Sequence, residues 1–130
     1  MEFDSGQPIY LQIADLVCDS ILRGVWKPGE RIPSIRDMAS QISVNPNTVV
    51  KAYNYLESQK IILNQRGIGF FVSDQGYAHV LRLKQELFIS KECPRFFRQM
   101  NLVGISWENL QKLYEEFQQN EKETERKSIS

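Results

Sequence analysis

The chain has 130 residues, with 16 lysines and arginines balanced by 16 aspartates and glutamates, so its formal charge is zero. Hydrophobic residues make up 42% and charged residues 25%, the balance of a globular protein and not of a disordered or fibrous one. This length holds one domain, or one with an appendage, and zero net charge argues against a general nucleic-acid coat while allowing a specific reader with a locally basic face.

No apolar run approaches the ~20 residues of a membrane span, and Glu2, Asp4, Asp15 and Asp19 do not suit a signal peptide. A soluble cytoplasmic protein is expected. Cys18 and Cys93 stand far apart without a CxxC spacing, so neither zinc nor a disulfide framework is indicated. The single histidine, His79, lies in a helical pattern where a packed or surface role is the expected one. Nucleophile-elbow, zincin and phosphate-loop motifs are absent, and Gly67-Ile68-Gly69 is too short for a dinucleotide fingerprint. No enzyme activity and no cofactor or metal are expected.

In chain order, Ile9, Ile13, Leu16, Val17 and Ile21 recur at helical spacing after Pro8, which suits a first helical turn, and Gly24 and Pro28-Gly29 end that helix. A second helix begins at Ser34, where Asp37 completes a capping box and Ile35, Met38, Ala39 and Ile42 form one apolar face. After Ser43-Val44, Asn45 is a good N-cap and Pro46 a good first residue for a third helix, with Val49, Ala52, Tyr53 and Leu56 inward. Two short helices joined by a tight turn are the helix-turn-helix pattern. Ile61–Leu63 and Phe70–Val72 then read as strands around a turn from Asn64 to Gly69, which adds the wing of a winged helix.

With that stripe buried, Asn47, Val50, Lys51, Asn54 and Ser58 fall on the outer side of the third helix, a face without an acidic residue. Asparagine can pair with an adenine edge, and lysine can reach guanine or phosphate. Arg36 sits in the first turn of the second helix, where the dipole disfavours a cation unless an anion is present. Arg66 precedes Gly67 at the hairpin tip. Residues 27–66 hold six basic residues against three acidic ones, a net of +3, whereas residues 1–75 as a whole carry −1.

The runs Pro8-Ile9-Tyr10-Leu11-Gln12-Ile13, Trp26-Lys27-Pro28-Gly29-Glu30-Arg31-Ile32-Pro33-Ser34-Ile35-Arg36, Val44–Tyr53 and Arg66–Val72 resemble the GntR family of bacterial transcription regulators. The resemblance covers about residues 8–72. The Asn-Pro-Asn-Thr-Val form and the short C-terminal region resemble the YtrA subfamily in particular. It implies operator contacts by Arg36, by Asn47, Thr48 and Lys51 at the start of the third helix, and by Arg66 and Gly67 in the wing. Val50 stands where many relatives have arginine, Lys60 where many have glycine, and Ile68 and Phe70 where lysine and threonine are usual. The candidate DNA-binding set is Ser34, Arg36, Asn45, Asn47, Thr48, Lys51, Asn54, Arg66 and Gly67.

Residues 76–120 read as amphipathic helices rich in aromatics, with Pro94 expected to kink or restart the helix and Ser106 to cap the last one. About 45 such residues cannot enclose a pocket of ~300 Å³ or more, so a dimerisation role is expected, with Leu83, Leu87, Phe88, Phe97, Trp107 and Leu110 as candidates. Residues 121–130 are polar without periodicity and are expected to be disordered. The expected protein is thus α+β and mostly helical, with a winged helix-turn-helix over residues 1–75 and a small helical appendage over 76–120. It is expected to be a homodimeric repressor that binds a palindromic double-stranded operator. The alternatives are a small-molecule-responsive switch, its effector unknown, with a pocket between winged helix and appendage, or a winged-helix protein-interaction module.

Overall fold

The computed structural model describes residues 6–129. The expected domain bounds also include residues 1–5 and Ser130, which lie outside the described residues. The order is α1 (Ile9–Leu22), α2 (Ile35–Ile42), α3 (Pro46–Ser58), β1 (Ile62–Gln65), β2 (Gly69–Val72), α4 (Gly76–Leu87), α5 (Cys93–Leu102) and α6 (Trp107–Ile129). The chain divides into two compact units, one up to Glu86 and one from Leu87 onward.

In the first unit, α1 buries Ile13, Ala14, Val17, Cys18 and Ile21. Pro8 stands just before the helix rather than in its first turn, and its carbonyl accepts the Leu11 and Gln12 N–H groups. Leu16 is half-buried and Ile9 is exposed, so the smaller Ala14 and Cys18 complete the stripe instead. Burial pushes the Cys18 thiol up to about 11, which keeps it protonated and unreactive near neutral pH.

Lys27-Pro28-Gly29-Glu30 forms a tight turn closed by the Glu30 N–H to the Lys27 carbonyl at 2.9 Å. Proline at the second position and Gly29 at φ +84° at the third are what a type II turn requires. Gly29 to Ile32 then runs beside β2, with Ile32 N–H to Phe70 O and Val72 N–H to Glu30 O. An isolated antiparallel bridge between Arg31 and Phe71 thus lines one edge of the two-stranded wing. β1 and β2 pair antiparallel from Ile62 opposite Val72 to Gln65 opposite Gly69. Both strands reach further toward the tip than expected, and the loop shrinks to Arg66–Ile68. Asn64 and Gln65 are polar because this end of the ribbon is exposed, which hides the strand from an apolar pattern.

The inward face of α3 is Val49, Ala52, Tyr53 and Leu56, as its spacing predicts, and all four are fully buried. Tyr53 links three elements. Its hydroxyl donates to the Pro33 carbonyl at 2.6 Å, beside the start of α2, and its ring meets Phe70 of the wing at 4.9 Å in a T-shaped contact. Burial, with the Asp37 carboxylate adding to it, holds this phenol well above the usual tyrosine range, so the donor keeps its proton.

After α3 the chain turns through Lys60 at φ +60°. The Lys60 N–H reaches Glu57 O and the Ile61 N–H reaches Leu56 O, the paired bonds of a Schellman ending. Lysine here occupies a left-handed position that glycine fills without strain. α4 then starts on the hairpin base, where a Cβ on Gly76 would lie 2.7 Å from the Ile61 carbonyl oxygen.

The expected boundary after residue 75 falls instead after Glu86, because α4 belongs to the first core. Val80 is fully buried there, and Lys84 bridges to Asp15 and Asp19 of α1, each at 3.4 Å. Partial burial works against the Lys84 charge, but those two carboxylates outweigh it and raise its pKa above the ordinary lysine value.

The second unit opens with a π-helical turn over Phe88–Glu92, where the Cys93 N–H reaches back to the Phe88 carbonyl. Pro94 follows in the first turn of α5. Proline has no N–H, and its ring crowds the carbonyl four residues back, so the widened turn is how this helix accommodates it. α5 ends on Gly104 at φ +74°, with the Ile105 N–H bonded to Met100 O. Ser106 caps α6 by accepting from the Asn109 N–H at 3.2 Å.

The expectation of a disordered tail from residue 121 is corrected, because α6 continues to Ile129. Its last turns are rich in Glu, Gln, Lys and Arg, which favour helix, and Arg126 and Lys127 complement the dipole at its end.

Two substitutions test these contacts. Lys60→Gly is expected to raise stability by about 0.5–1 kcal/mol by relieving the left-handed residue. A urea midpoint equal to or below that of the wild type would contradict this. Tyr53→Phe is expected to lower stability by about 1–2 kcal/mol, since it leaves the Pro33 carbonyl without its donor; an unchanged melting curve would show that bond to be dispensable.

Candidate nucleic-acid interface

α2 and α3 are joined by Ser43, Val44 and Asn45, and each helix start is organised by its cap. Ser34 Oγ accepts from the Asp37 N–H at 3.1 Å, and Asn45 Oδ1 accepts from the Asn47 N–H at 2.8 Å. Two candidate contact residues are thus engaged in ordering the helix starts that carry the others. Ser43 at φ +57° makes the turn between them, and the Val44 N–H closes onto Ala39 O at 3.0 Å.

The outer face of α3 is open. Asn47, Lys51 and Asn54 are exposed, whereas Thr48 and Val50 are half-buried at its flanks. Ser58, also placed on this face by spacing, directs its hydroxyl into the Tyr55 carbonyl at 2.6 Å and so belongs to the helix end. Arg36 is exposed in the first turn of α2.

At the wing tip, Arg66 and Gly67 are exposed, and Gly67 at φ +75° permits the turn closed by the Ile68 N–H to Gln65 O at 2.9 Å. The wing also carries a cation that sequence reasoning did not single out. The Arg31 side chain crosses the wing over Gly69, where an added Cβ would lie 2.7 Å from Nε. The only signal in the sequence was the glycine, whose φ of +149° and missing side chain make that crossing possible.

His79 is half-buried, and its Nδ1 lies 3.3 Å from the Arg82 guanidinium. Among the described residues no group of three or more His, Cys, Asp or Glu side chains could hold a metal ion, and no helix is long and apolar enough to cross a membrane.

The candidate dimer residues fall in both units. Leu83 is half-buried in the first. In the second, Leu87, Phe88, Phe97 and Trp107 are exposed and Leu110 is half-buried. No side chain from Leu87 to Ser128 is buried. Phe96, Trp107, Leu110, Leu113, Tyr114 and Phe117 line an open apolar groove of about 790 Å³. Ile89, Leu102 and Val103 add to this apolar surface beyond the residues expected from sequence, Leu102 being 86% exposed.

Residues 9–72 match the family model described as bacterial regulatory proteins, gntR family. The HTH-type transcriptional repressor YtrA of Bacillus subtilis is 35% identical over 82% of this chain and 81% of its own length. The structure of a GntR-family transcriptional regulator from Bacteroides thetaiotaomicron is 46% identical, with a TM-score of 0.72 over 88% of this chain and 99% of that one. The AraR DNA-binding domain, solved in complex with operator ORR3, is 27% identical with a TM-score of 0.51, covering 56% of this chain and 88% of that one. With its winged helix-turn-helix and its extent of likeness to these regulators, the chain belongs to the GntR family of DNA-binding transcription regulators, which is not a family of enzymes.

Proposed function

We propose that the protein is a cytoplasmic bacterial repressor that binds a palindromic operator as a homodimer, with α3 of each subunit in the major groove of one half-site. The observation that carries the DNA placement is the outer face of α3. It is exposed and polar, bears Asn47, Lys51 and Asn54 with Glu57 only at its C-terminal flank, and lies opposite a fully buried stripe. An ordinary solvated face would carry mixed Glu and Lys pairs. In this reading Asn47, Thr48, Lys51 and Asn54 face the base edges, and Arg36, Arg66 and the Gly67 backbone meet phosphate or the adjacent groove. Ser34 and Asn45 hold the two helix starts.

The dimer reading rests on the second unit, whose aromatic and aliphatic side chains find no core of their own. Apolar surface on this scale marks an association site in a soluble protein. A two-fold dimer also matches the usual symmetry of helix-turn-helix operators. Leu83, Leu87, Phe88, Phe97, Trp107 and Leu110 are its proposed contacts.

Arg36→Ala is expected to cost about 1–3 kcal/mol of operator affinity. A salt-matched titration with a duplex selected from a random library checks this, and unchanged binding would remove Arg36 from the interface. Trp107→Glu is expected to convert a dimer to monomer in sedimentation velocity and to weaken binding to a two-half-site duplex far more than to a single half-site. A wild-type protein that sediments as a folded monomer at micromolar concentration would end the dimer reading.

A further inference from the structure

Lys51 is four residues before Tyr55 on α3, one helical turn away, and both lie beside the start of α1 through Tyr10. The Tyr10 ring is half-buried against the core and meets Tyr55 nearly edge-on, with centroids 6.5 Å apart and planes at 74°. The Lys51 ammonium stands 6.0 Å from the centroid of that same Tyr10 ring. A ring anchored by a second aromatic thus carries the one lysine on the outer face of α3.

A lysine stem is flexible, and an exposed ammonium samples many rotamers. The negative face of an aromatic ring attracts a cation at this distance, so Tyr10 biases Lys51 toward the α1 flank of α3. There a lysine acts as a point charge, without the planar fork that reads a base pair, and its natural partner is a phosphate.

We infer that Tyr10 is a positioning residue that draws Lys51 off the base-reading row and toward the DNA backbone. The inference rests on the DNA reading of α3 and revises the role of Lys51, which the family resemblance associates with operator contact at the start of the recognition helix. It divides the outer face by function: the asparagines carry sequence information, and Lys51 sets the register of the helix on the duplex.

The test uses the full chain, a duplex selected by the wild type from a random library, and a scrambled duplex of equal length. Lys51→Ala is expected to weaken both duplexes by the same factor and to lower the salt slope by about one. Tyr10→Leu is expected to weaken both by about two- to fivefold, whereas Tyr10→Phe, which keeps the ring, binds as the wild type does. Adding Tyr10→Leu to Lys51→Ala is expected to cost nothing further, a comparison that removes any general effect on folding.

A second readout needs no DNA. The Lys51 ε-methylene protons should show a ring-current shift by NMR in the wild type and Tyr10→Phe but not in Tyr10→Leu. Absence of that shift in the wild type, or wild-type binding by Tyr10→Leu, overturns the role of Tyr10 alone. Lys51→Ala that relaxes selection at one base pair while leaving the scrambled duplex unaffected overturns the phosphate role. A wild type without salt-dependent binding to either duplex overturns the DNA reading, and this inference with it, even if the NMR shift is present.

Discussion

The winged helix depends on one buried phenol. Tyr53 lies on the inner face of α3, bonds its hydroxyl to the carbonyl that precedes the α2 cap, and rests its ring on the wing through Phe70. A buried hydroxyl without a partner is costly, so this bond limits how far α3 can slide or rotate against α2. The ring contact applies the same limit to the hairpin, which has too few strands to hold its shape unaided. The three elements that present Arg36, Asn47 and Arg66 thereby share a single anchor on the side of α3 opposite its open face.

Around that anchor, direction is set mainly at helix ends. α1, α2, α3 and α5 each leave through a left-handed residue and close their last carbonyls by backward bonds from the following amides. Gly24 and Gly104 make two of these exits without strain, while Ser43 and Lys60 make the other two against the preference of their side chains. Both strained exits flank the outer face of α3, one before it and one after. The neighbouring caps, Ser34 and Asn45, order the helix starts by hydrogen bonds of the side chain to backbone N–H groups, so the segment is organised by short-range polar bonds as much as by its core.

The zero formal charge conceals a division within the first unit. The segment from Lys27 to Arg66 is net positive, and two of the acidic residues that offset it, Asp15 and Asp19, are engaged by Lys84 where α1 meets α4. The apolar side chains divide as unevenly. The buried core lies wholly in the first unit, and the second exposes its aromatic residues in an open groove. These are different physical situations in one chain. The first unit is held by its own packing, and the second presents a surface whose burial has to come from elsewhere.

Periodicity and capping chemistry were sufficient for the three helices, the hairpin, the inner face of α3 and the Ser34, Asn45 and Ser106 caps, because each depends on residues only a few positions apart. Sequence placed the domain boundary too early and ended α6 too soon. Gly76 and Lys84 belong to the first unit through contacts with residues far away in the chain, and the charged end of α6 is helical without an apolar stripe to announce it. The bridge from Gly29–Ile32 to β2, the path of Arg31 across Gly69 and the seat of Lys51 over Tyr10 were likewise invisible. Each joins residues about 40 positions apart, and no local pattern records which distant surface a side chain will meet. The identity of the reading helix was written in its neighbours along the chain; the aim of its side chains was decided by what folding brought beside them.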